Sequence, residues 1–398
     1  MEKHKNIPKL RFPEFQDAWV DKQLNSIATK IGDGIHGTPK YDEDGEYFFI
    51  NGNNLVDGHI YITENTKRID YEEFRIHRRD LNERTILLSI NGTIGNLSYY
   101  NGEAVILGKS AAYINIDNLY DLTFSYYSLM TNKVQNYFDS ELTGTTIKNL
   151  SLKTIRSTKL FIPTLPEQQK IASCFIAIDQ KISQLKRKKT LLEQYKKGVM
   201  QKIFSQEIRF KDDNGHEFPK WEKKKLGEVA EVIMGQSPDS NSYNTEGIGR
   251  PLIQGNADIK NRMSNPRNWT AITTKECYVG DLLMTVRAPV GAIAKSMHNA
   301  CIGRGVCAIR NKSQCNIEFL YQFFLGYELR WANIEQGSTF TAVSGADIKK
   351  LKISVPNLIE QTKIANFLSA IDDKINRTQK QIEKAEVWKK GLMHQMFV

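Results

Sequence analysis

The sequence has few cysteines, and none has the spacing that usually holds a metal. Among 398 residues there are five cysteines, an odd number, and no Cys-x-x-Cys pair occurs. Four lie in the second half of the chain without counterparts in the first: Cys277, Cys301, Cys307 and Cys315. Neither a disulfide framework nor a zinc framework common to both halves is therefore expected, and a reducing cytoplasm suits such a chain.

Long apolar runs and several enzyme signatures are also missing. Residues 1–5 lead into no apolar stretch of signal-peptide length, and no run elsewhere is long enough to cross a bilayer. There is no G-x-x-x-x-G-K-[ST] phosphate loop. There is also no Asn-Pro-Pro-aromatic or Asp-Pro-Pro-aromatic run, with which amino-methyltransferases hold a flipped adenine. These absences give no support to a nucleotide-driven or base-methylating enzyme.

Positive charge is in excess. The chain has 55 Lys and Arg against 45 Asp and Glu, which gives a formal net charge of +10. An excess of this kind favours a polyanionic partner. The length is sufficient for two or three domains with cores of their own.

The main positive feature is an internal repeat. Residues 163–172 read P-T-L-P-E-Q-Q-K-I-A, and residues 356–365 read P-N-L-I-E-Q-T-K-I-A. The match continues without a gap to Phe204 and Phe397, and the paired positions are 193 residues apart throughout. A repeat of this length at one spacing indicates two related halves.

Each copy of the repeat is predicted to be a long helix with a coiled-coil seam. Apolar residues recur at steps of three and four, which is the spacing of such a seam. They are Ile171, Phe175, Ile178, Ile182, Leu185, Leu192, Val199 and Ile203 in the first copy, and Ile364, Leu368, Ile371, Ile375, Ile382, Ala385, Leu392 and Met396 in the second. A helix of about 40 residues is roughly 60 Å long. Because one seam needs a partner, the two helices are predicted to pack antiparallel about a pseudo-two-fold axis. Trp388, Met393 and Phe397 are expected to await another partner.

The segments before the two helices are predicted to be similar α+β heads. Short β-rich runs correspond, for example residues 47–53 with 251–256 and residues 86–90 with 281–285. The predicted organisation is a first head at residues 1–162, a helix at 163–206, a second head at 207–355 and a helix at 356–398. The aromatic residues Tyr126, Tyr127, Phe323 and Phe324 are interpreted as core.

The loops of the two heads differ more than their frameworks. Residues 56–79 and 258–269 have no counterparts in the other head, whereas the glycine-containing loops 32–40 and 235–238 correspond. Glycine lets a backbone approach a partner closely, although such loops are as often plain turns. A common framework with different loops suggests two related tasks on two targets.

Both long helices have the motif Pro-x-Leu-x-Glu-Gln-x-Lys-Ile-Ala…Ala-Ile-Asp-x-Lys-Ile. Each closes a head that opens with Trp, Leu and a loop in which Gly precedes Pro, as Gly-x-Pro in the first head and Gly-x-x-Pro in the second. These features resemble the specificity subunit of type I restriction-modification systems. The resemblance implies that each head is a target-recognition domain that reads one half of a split DNA sequence. It implies that the helical pair sets the spacing and docks two DNA-adenine methyltransferase subunits. S-adenosylmethionine, ATP and magnesium would then belong to partner subunits, including ATP-driven translocase–nuclease subunits, and this chain would catalyse nothing.

DNA recognition by such heads would use Lys and Arg on phosphates and polar side chains on base edges. The candidate DNA-binding residues are Thr38, Lys40, Asn51, Asn53, Lys109, Thr145 and Lys148 in the first head, and Gln236, Gln254, Asn256, Arg262, Arg287, Arg304 and Thr339 in the second. For each of them, an exposed loop residue without a ligand is the alternative interpretation.

Two other classes of function are compatible with the sequence. The set Asp239, Asp258 and Lys260 is a loose magnesium-dependent nuclease pattern, which would make the chain a single-chain nuclease. A coiled-coil adaptor that contacts no DNA is the third hypothesis.

Overall fold

The structure is a computed structural model that describes residues 6–144, 148–337 and 343–398, with the backbone alone at Leu329 and 332–337. The chain divides into two compact units. The first contains the residues as far as Gln184 together with Gln381–Val398, and the second contains Leu185–Lys380. Each unit therefore comprises one head and part of each long helix.

The first head is built on a four-stranded antiparallel sheet. Its strands in spatial order are Ala28–Asp33, Ala111–Ile116, Thr85–Ser89 and Leu97–Tyr99. A three-stranded sheet of Arg68–Ile69, Tyr47–Ile50 and Val105–Leu107, a hairpin of Leu55–Val56 and His59–Ile60, and the pair Val20–Gln23 with Lys159–Ile162 complete the strands. The central strands are buried along their whole length, so this sheet carries the core of the head.

The second head repeats this plan with additional strands. A six-stranded sheet has the order Ala230–Met234, Val306–Asn311, Leu282–Thr285, Ile293–Lys295, Met263–Ser264 and Ile259–Lys260. A five-stranded sheet has the order Tyr243–Asn244, Asn268–Thr270, Arg250–Ile253, Ala300–Ile302 and Glu276–Cys277, and Glu222–Lys225 pairs with Lys352–Val355. The first four strands of the larger sheet follow the same order as those of the first head. The prediction of two similar α+β heads is confirmed.

The short helices differ between the heads. Those of the first head are Tyr71–His77, Leu122–Met130, Asn132–Ser140 and Leu152–Ser157, with 3-10 turns at Leu24–Ser26 and Gly52–Asn54. Those of the second are Leu226–Val229, Ile317–Gly337 and Gly345–Lys350, with 3-10 turns at Ser240–Ser242 and Asn256–Asp258. In the first head Thr131 has an extended backbone and caps the helix Asn132–Ser140, so the chain bends between two short helices. The second head has one continuous helix, Ile317–Gly337, at this place.

The two long helices are Leu165–Phe204 and Leu358–Met396, and they pack against each other as an antiparallel coiled coil. In the first unit, the seam residues Ile171, Phe175, Ile178 and Ile182 are buried in one cluster with Met396. In the second unit, the buried cluster joins Ile203 to Ile364, Leu368 and Ile371. The predicted seam is therefore confirmed. Leu192, Val199, Ile375, Ala385 and Leu392 are only partly buried within it.

Two ion pairs join the helices at equivalent positions. Asp179 pairs with Lys389 in the first unit at 2.6 Å, and Lys196 pairs with Asp372 in the second at 2.6 Å. Asp179 and Asp372 are 193 residues apart, and so are Lys196 and Lys389. The same bond thus occurs once in each unit, with the roles of the two helices exchanged.

The pair Lys196–Asp372 should stabilise the second unit measurably, because the Lys196 side chain is only 11% exposed. We expect Lys196→Asp to lower the free energy of unfolding by about 1–3 kcal/mol, less than a fully buried pair would give since Asp372 is partly solvated. Urea unfolding measures the change. Adding Asp372→Lys should restore part of the loss, whereas Lys197→Asp on the exposed face should change little; equal effects of Lys196→Asp and Lys197→Asp would contradict the role of the pair.

The Glu-Gln pair of the repeated motif attaches each helix to its own head. Glu167 accepts hydrogen bonds from Arg11 at 2.7 Å and from the indole nitrogen of Trp19 at 3.2 Å. Glu360 accepts two from Arg209, the shorter at 2.8 Å. Both glutamates are nearly fully buried, so each arginine supplies the opposite charge that a buried carboxylate needs.

The glutamine and the lysine of the repeated motif also bond each long helix to its own head. Gln168 accepts from the backbone of Asp121, and Gln361 accepts from the backbone of Asn316, in each case next to the start of the helix that follows the central sheet. Lys170 pairs with Glu14, and Lys363 pairs with Asp213. The repeated motif is therefore a structural connection between helix and head.

The aromatic residues Tyr126, Tyr127 and Phe324 are buried in the head cores, as predicted. Tyr127 donates to Asp179, and burial together with this contact raises the pKa of its hydroxyl, which keeps it a donor. The expectation that Met393 and Phe397 await a partner is wrong. Phe397 packs on Trp19, Phe124 and Phe175, and Met393 contacts the same cluster, because the end of the second long helix closes the core of the first head.

The five cysteines are free, and all but Cys174 are buried. Among the described residues, no helix is long and apolar enough to span a membrane.

Candidate nucleic-acid interface

Four loops of the second head meet around a cavity of about 340 Å³. Its lining includes four of the predicted residues, and among the described residues the lining is Ser237, Gln254, Gly255, Asn256, Arg287, Ala288, Arg304 and Gly305. Arg287 and Arg304 are exposed and each follows a buried strand, Leu282–Thr285 and Ala300–Ile302 respectively. Since these strands are buried in the core, the core positions the loops that follow them.

Glycine allows these loops to lie close together. A Cβ at Gly305 would be 2.2 Å from the carbonyl oxygen of Gln254, and a Cβ at Gly235 would be 2.2 Å from that of Gly303. Any larger residue would push the loops apart. The Ser237 hydroxyl also accepts from the backbone N–H of Arg304 at 3.2 Å, which joins two of the loops directly.

Asp258 has a structural role beneath this cavity. It is buried, and its carboxylate accepts hydrogen bonds from the backbone of Gln254 at 2.8 Å and from Arg267 at 3.0 Å. Asp239 is exposed and caps the turn Ser240–Ser242. Both oxygens of Asp258 thus already accept hydrogen bonds. Among the described residues, no group of three or more His, Cys, Asp and Glu side chains is placed to hold a metal ion, so the nuclease hypothesis gains no support.

The first head has a cavity of about 510 Å³ at the loops after its own central strands. Its lining is Asp33, His36, Ile90, Asn91, Gly92, Lys109, Asn149, Leu150, Ser151 and Leu152. Of the predicted residues that the structure describes, Lys109 alone lies here. Lys109 and Asn91 correspond in sequence to Arg304 and Arg287, so the two heads present different side chains at equivalent loop positions.

Asn91 is the candidate that sequence reasoning missed. It follows the strand Thr85–Ser89 just as Arg287 follows Leu282–Thr285. Extending the internal repeat to these loops would have identified it. Asn149 and Ser151 could not have been found in this way, because they come from a distant segment that the fold brings to the cavity.

Two other predicted residues, Asn51 in the first head and Arg262 in the second, make structural contacts within their own heads and line neither of these cavities. The Asn51 side chain accepts from Ser110 at 2.8 Å and belongs to the capping box of the turn Gly52–Asn54. Arg262 makes a two-point ion pair with Glu328 and donates to the carbonyl of Ile293, away from the second-head cavity.

Five of the remaining predicted residues are exposed in loops and turns of the two heads, and the structure does not describe the other two. Thr38, Lys40, Asn53, Lys148 and Gln236 are exposed and line neither cavity. Thr145 and Thr339 lie outside the described residues.

One sequence pattern in the first head resembles a dinucleotide-binding loop without having its structure. Gly32, Gly34 and Gly37 are spaced as G-x-G-x-x-G. The fingerprint requires a helix immediately after the loop, whose N-terminus binds the phosphates. Here the strand Ala28–Asp33 leads into an irregular loop, and Gly34 lies so close to Leu107 that a Cβ would be 2.2 Å from its carbonyl oxygen. Gly34 therefore allows close packing of this loop on Leu107, whereas a Cβ at Gly37 would contact nothing.

The second-head cavity combines two arginines with two side-chain amides. Arginine can bond in a two-point manner to guanine or to phosphate, and asparagine or glutamine to adenine. Two similar heads with polar loops around a cavity, which include Lys109 in the first and Arg287 and Arg304 in the second, are the features of a two-headed nucleic-acid-recognition protein.

Comparisons with known proteins identify the family to which the chain belongs. The profile described as type I restriction modification DNA specificity domain matches the chain twice, at residues 16–194 and 219–387. A putative type I restriction enzyme MjaX specificity subunit from Methanocaldococcus jannaschii is 30% identical over 98% of this chain and 96% of its own. The chain belongs to the family of type I restriction-modification DNA specificity subunits and has two target-recognition domains.

Other relatives agree. The MjaIX specificity subunit of the same organism is 31% identical over 46% of this chain and 45% of its own. The fold is similar to a crystal structure of the type I restriction-modification system S subunit from M. genitalium, with a TM-score of 0.62 and 18% identity over 98% of this chain and 99% of that one. A chain from a structural study of complex assembly in a type I R-M system gives a TM-score of 0.62 at 22% identity, covering 95% of this chain and 97% of that one.

Proposed function

We propose that each head reads one half of a bipartite DNA target, and that the helical pair sets the spacing between the halves and docks two methyltransferase subunits. The observation that supports this most strongly is the doubled connection between head and helix. The same Glu–Arg, Lys–carboxylate and Asp–Lys bonds occur in both units with the helices exchanged. A protein with two equivalent halves suits two half-sites and two copies of a partner.

The proposal assigns no catalysis to this chain. Methyl transfer, with S-adenosylmethionine, belongs to the methyltransferase subunits, and ATP and magnesium belong to translocase–nuclease subunits of a full restriction complex. The complex acts on DNA in the cytoplasm, where the free cysteines of this chain stay reduced.

Base readout by the second head can be tested at Arg287. We expect Arg287→Ala to cost about 1–3 kcal/mol in DNA binding and to relax the sequence preference at one position, because the guanidinium is exposed at the cavity. Binding assays on a set of single-base variants of the target measure both effects. Lys260→Ala is a matched control, since Lys260 is exposed in the same head but outside the cavity. A uniform loss over all sequences would assign Arg287 to phosphate contact instead.

The docking positions can be tested at two exposed aromatic residues. Tyr195 and Trp388 occupy equivalent places in the repeat, 193 residues apart, and are 53% and 58% exposed. Large exposed aromatic side chains typically anchor protein partners, and their truncation often costs 2 kcal/mol or more. We therefore expect Trp388→Ala and Tyr195→Ala each to weaken the binding of one methyltransferase subunit.

Light scattering of the co-expressed complex should show two methyltransferase subunits with the native chain, and a lower occupancy with either variant at limiting concentration. The double variant should lose both subunits. Lys384→Ala, also exposed on the second long helix, should change nothing. Full occupancy with the double variant would place the docking surface elsewhere.

A further inference from the structure

The second head contains another cavity, separate from the one at Arg287. In the first head, side chains fill the equivalent space. The cavity has a volume of about 760 Å³, within the range of pockets that hold small molecules. Its lining includes the aromatic residues Phe204, Trp221, Tyr321, Phe323 and Tyr327 and the cations Lys196, Lys197, Arg262, Arg330 and Lys352. The whole lining belongs to the second unit.

The equivalent place in the first head is almost closed. There, a space of only about 10 Å³ lies among residues that include Trp19, Lys133, Phe161 and Val398. Lys133 lies over the ring of Phe161 at 4.0 Å, which brings the helix Asn132–Ser140 onto the strand Lys159–Ile162.

Two sequence differences open the cavity in the second head. Ser354 occupies the strand position of Phe161, 193 residues later, so a large ring is replaced by a hydroxymethyl group. The helix Ile317–Gly337 also continues without a break through Gly326, whereas in the first head the chain bends at Thr131. The cavity is therefore a specific feature of the second head, because the corresponding residues of the first head leave almost no space.

The charges of the cavity suit an anion. Two carboxylates line the cavity, and each has a partner: Asp372 pairs with Lys196, and Glu193 with Lys189. Arg262 is paired with Glu328. Lys197, Arg330 and Lys352 have no carboxylate partner within the described part of the chain. Arg330 instead lies over the ring of Tyr327 at 5.2 Å. Three such cations thus line the same cavity as five aromatic rings, a combination that binds a flat apolar group and a negative charge together.

We propose that this cavity is a binding site for a small aromatic anion, a planar ring system that carries a phosphate or a carboxylate. The ring lies against Phe204, Phe323 and Tyr327, and the anionic group bonds to Lys197 and Lys352. Because Lys196, Asp372 and Ile375 of the two long helices also line the cavity, a bound ligand contacts both helices and stabilises the second unit by mass action.

The test uses the full chain and the fluorescent aromatic anion 8-anilinonaphthalene-1-sulfonate. We expect saturable binding that Ser354→Phe abolishes, because the new ring occupies the cavity as Phe161 does in the first head. The double variant Lys197→Ala, Lys352→Ala should weaken binding by at least about tenfold, since it removes two charge-assisted contacts. Lys159→Ala, the first-head equivalent of Lys352, should leave binding unchanged.

Displacement distinguishes the two sources of the anionic group. Release of the probe by adenosine monophosphate indicates a phosphate-bearing ligand, and release by indole-3-acetate indicates a carboxylate-bearing one. Binding that is equally tight in the native chain and the double lysine variant overturns the proposal, and so does displacement by neither compound. The lysine variant decides the matter alone if Ser354→Phe does not fold, because both lysines are exposed and leave the core untouched.

Discussion

Replacing residues 207–355 by the corresponding region of a relative with a different target should change one half of the methylated sequence completely and leave the other half intact. The two heads have separate cores, and the loops around each cavity come from one head alone. Mapping of methylated adenines in cells that carry the hybrid measures both halves at once. A change in both halves, or in neither, would contradict a division of labour between the heads.

The exchange needs a donor that preserves the connections to the second long helix. Arg209 and Asp213 bond to Glu360 and Lys363, and Gln322 bonds to Asp372 at 2.8 Å. A donor segment that lacks these residues would leave buried charged groups such as Glu360 unpaired and would destabilise the hybrid. A second hybrid in which they are restored controls for this effect, so that loss of folding is not mistaken for loss of recognition.

Lengthening both long helices by one heptad should increase the spacer between the half-sites by about three base pairs. The insertions, after Leu185 and after Thr378, are 193 residues apart and lie near the points where each helix passes from one unit to the other. Seven residues preserve the seam and add ~10.5 Å to each helix at 1.5 Å per residue. At ~34 Å per turn of about ten base pairs, this corresponds to about three base pairs.

The same insertion rotates one half-site by roughly a third of a turn around the DNA axis. Activity is therefore expected to fall unless the DNA twists to compensate. The measured quantity is the distance between methylated adenines on the two strands in cells with the lengthened protein. A control with the insertion in one helix alone should unfold or aggregate, because it displaces the seam. An active lengthened protein that methylates at the original spacing would show that the helices do not set the distance.

The internal repeat predicted the architecture well because the spacing of apolar residues along each helix is a local feature of the sequence. Steps of three and four between apolar residues define a helical seam whatever the rest of the chain does. The residues Ile171, Phe175, Ile364 and Leu368 are buried as this pattern required. The two heads could likewise be paired strand by strand, since a strand of buried residues such as Leu282–Thr285 has a clear counterpart in Thr85–Ser89.

Other features depend on contacts between residues far apart in sequence and could not be predicted. Nothing in the sequence near Glu167 indicates that Arg11, 156 positions earlier, neutralises it. The position of Phe397 in the core of the first head was missed because it arises only when the end of the second long helix returns to that head. The candidate site also has a predictable and an unpredictable part. Arg287 and Arg304 could be predicted because they follow recognisable strands. The ion pair of Arg262 with Glu328 could not, because Glu328 comes from a helix distant in sequence.

The central claim is that one chain directs methylation to a two-part target, one part for each head. Sequencing of methylated adenines in the source genome, with this gene intact and with it deleted, tests that claim most directly. The proposal predicts a motif of two defined segments separated by a gap of constant length and undefined sequence, which disappears when the gene is deleted. A continuous motif, or a methylation pattern that persists without the gene, would contradict it.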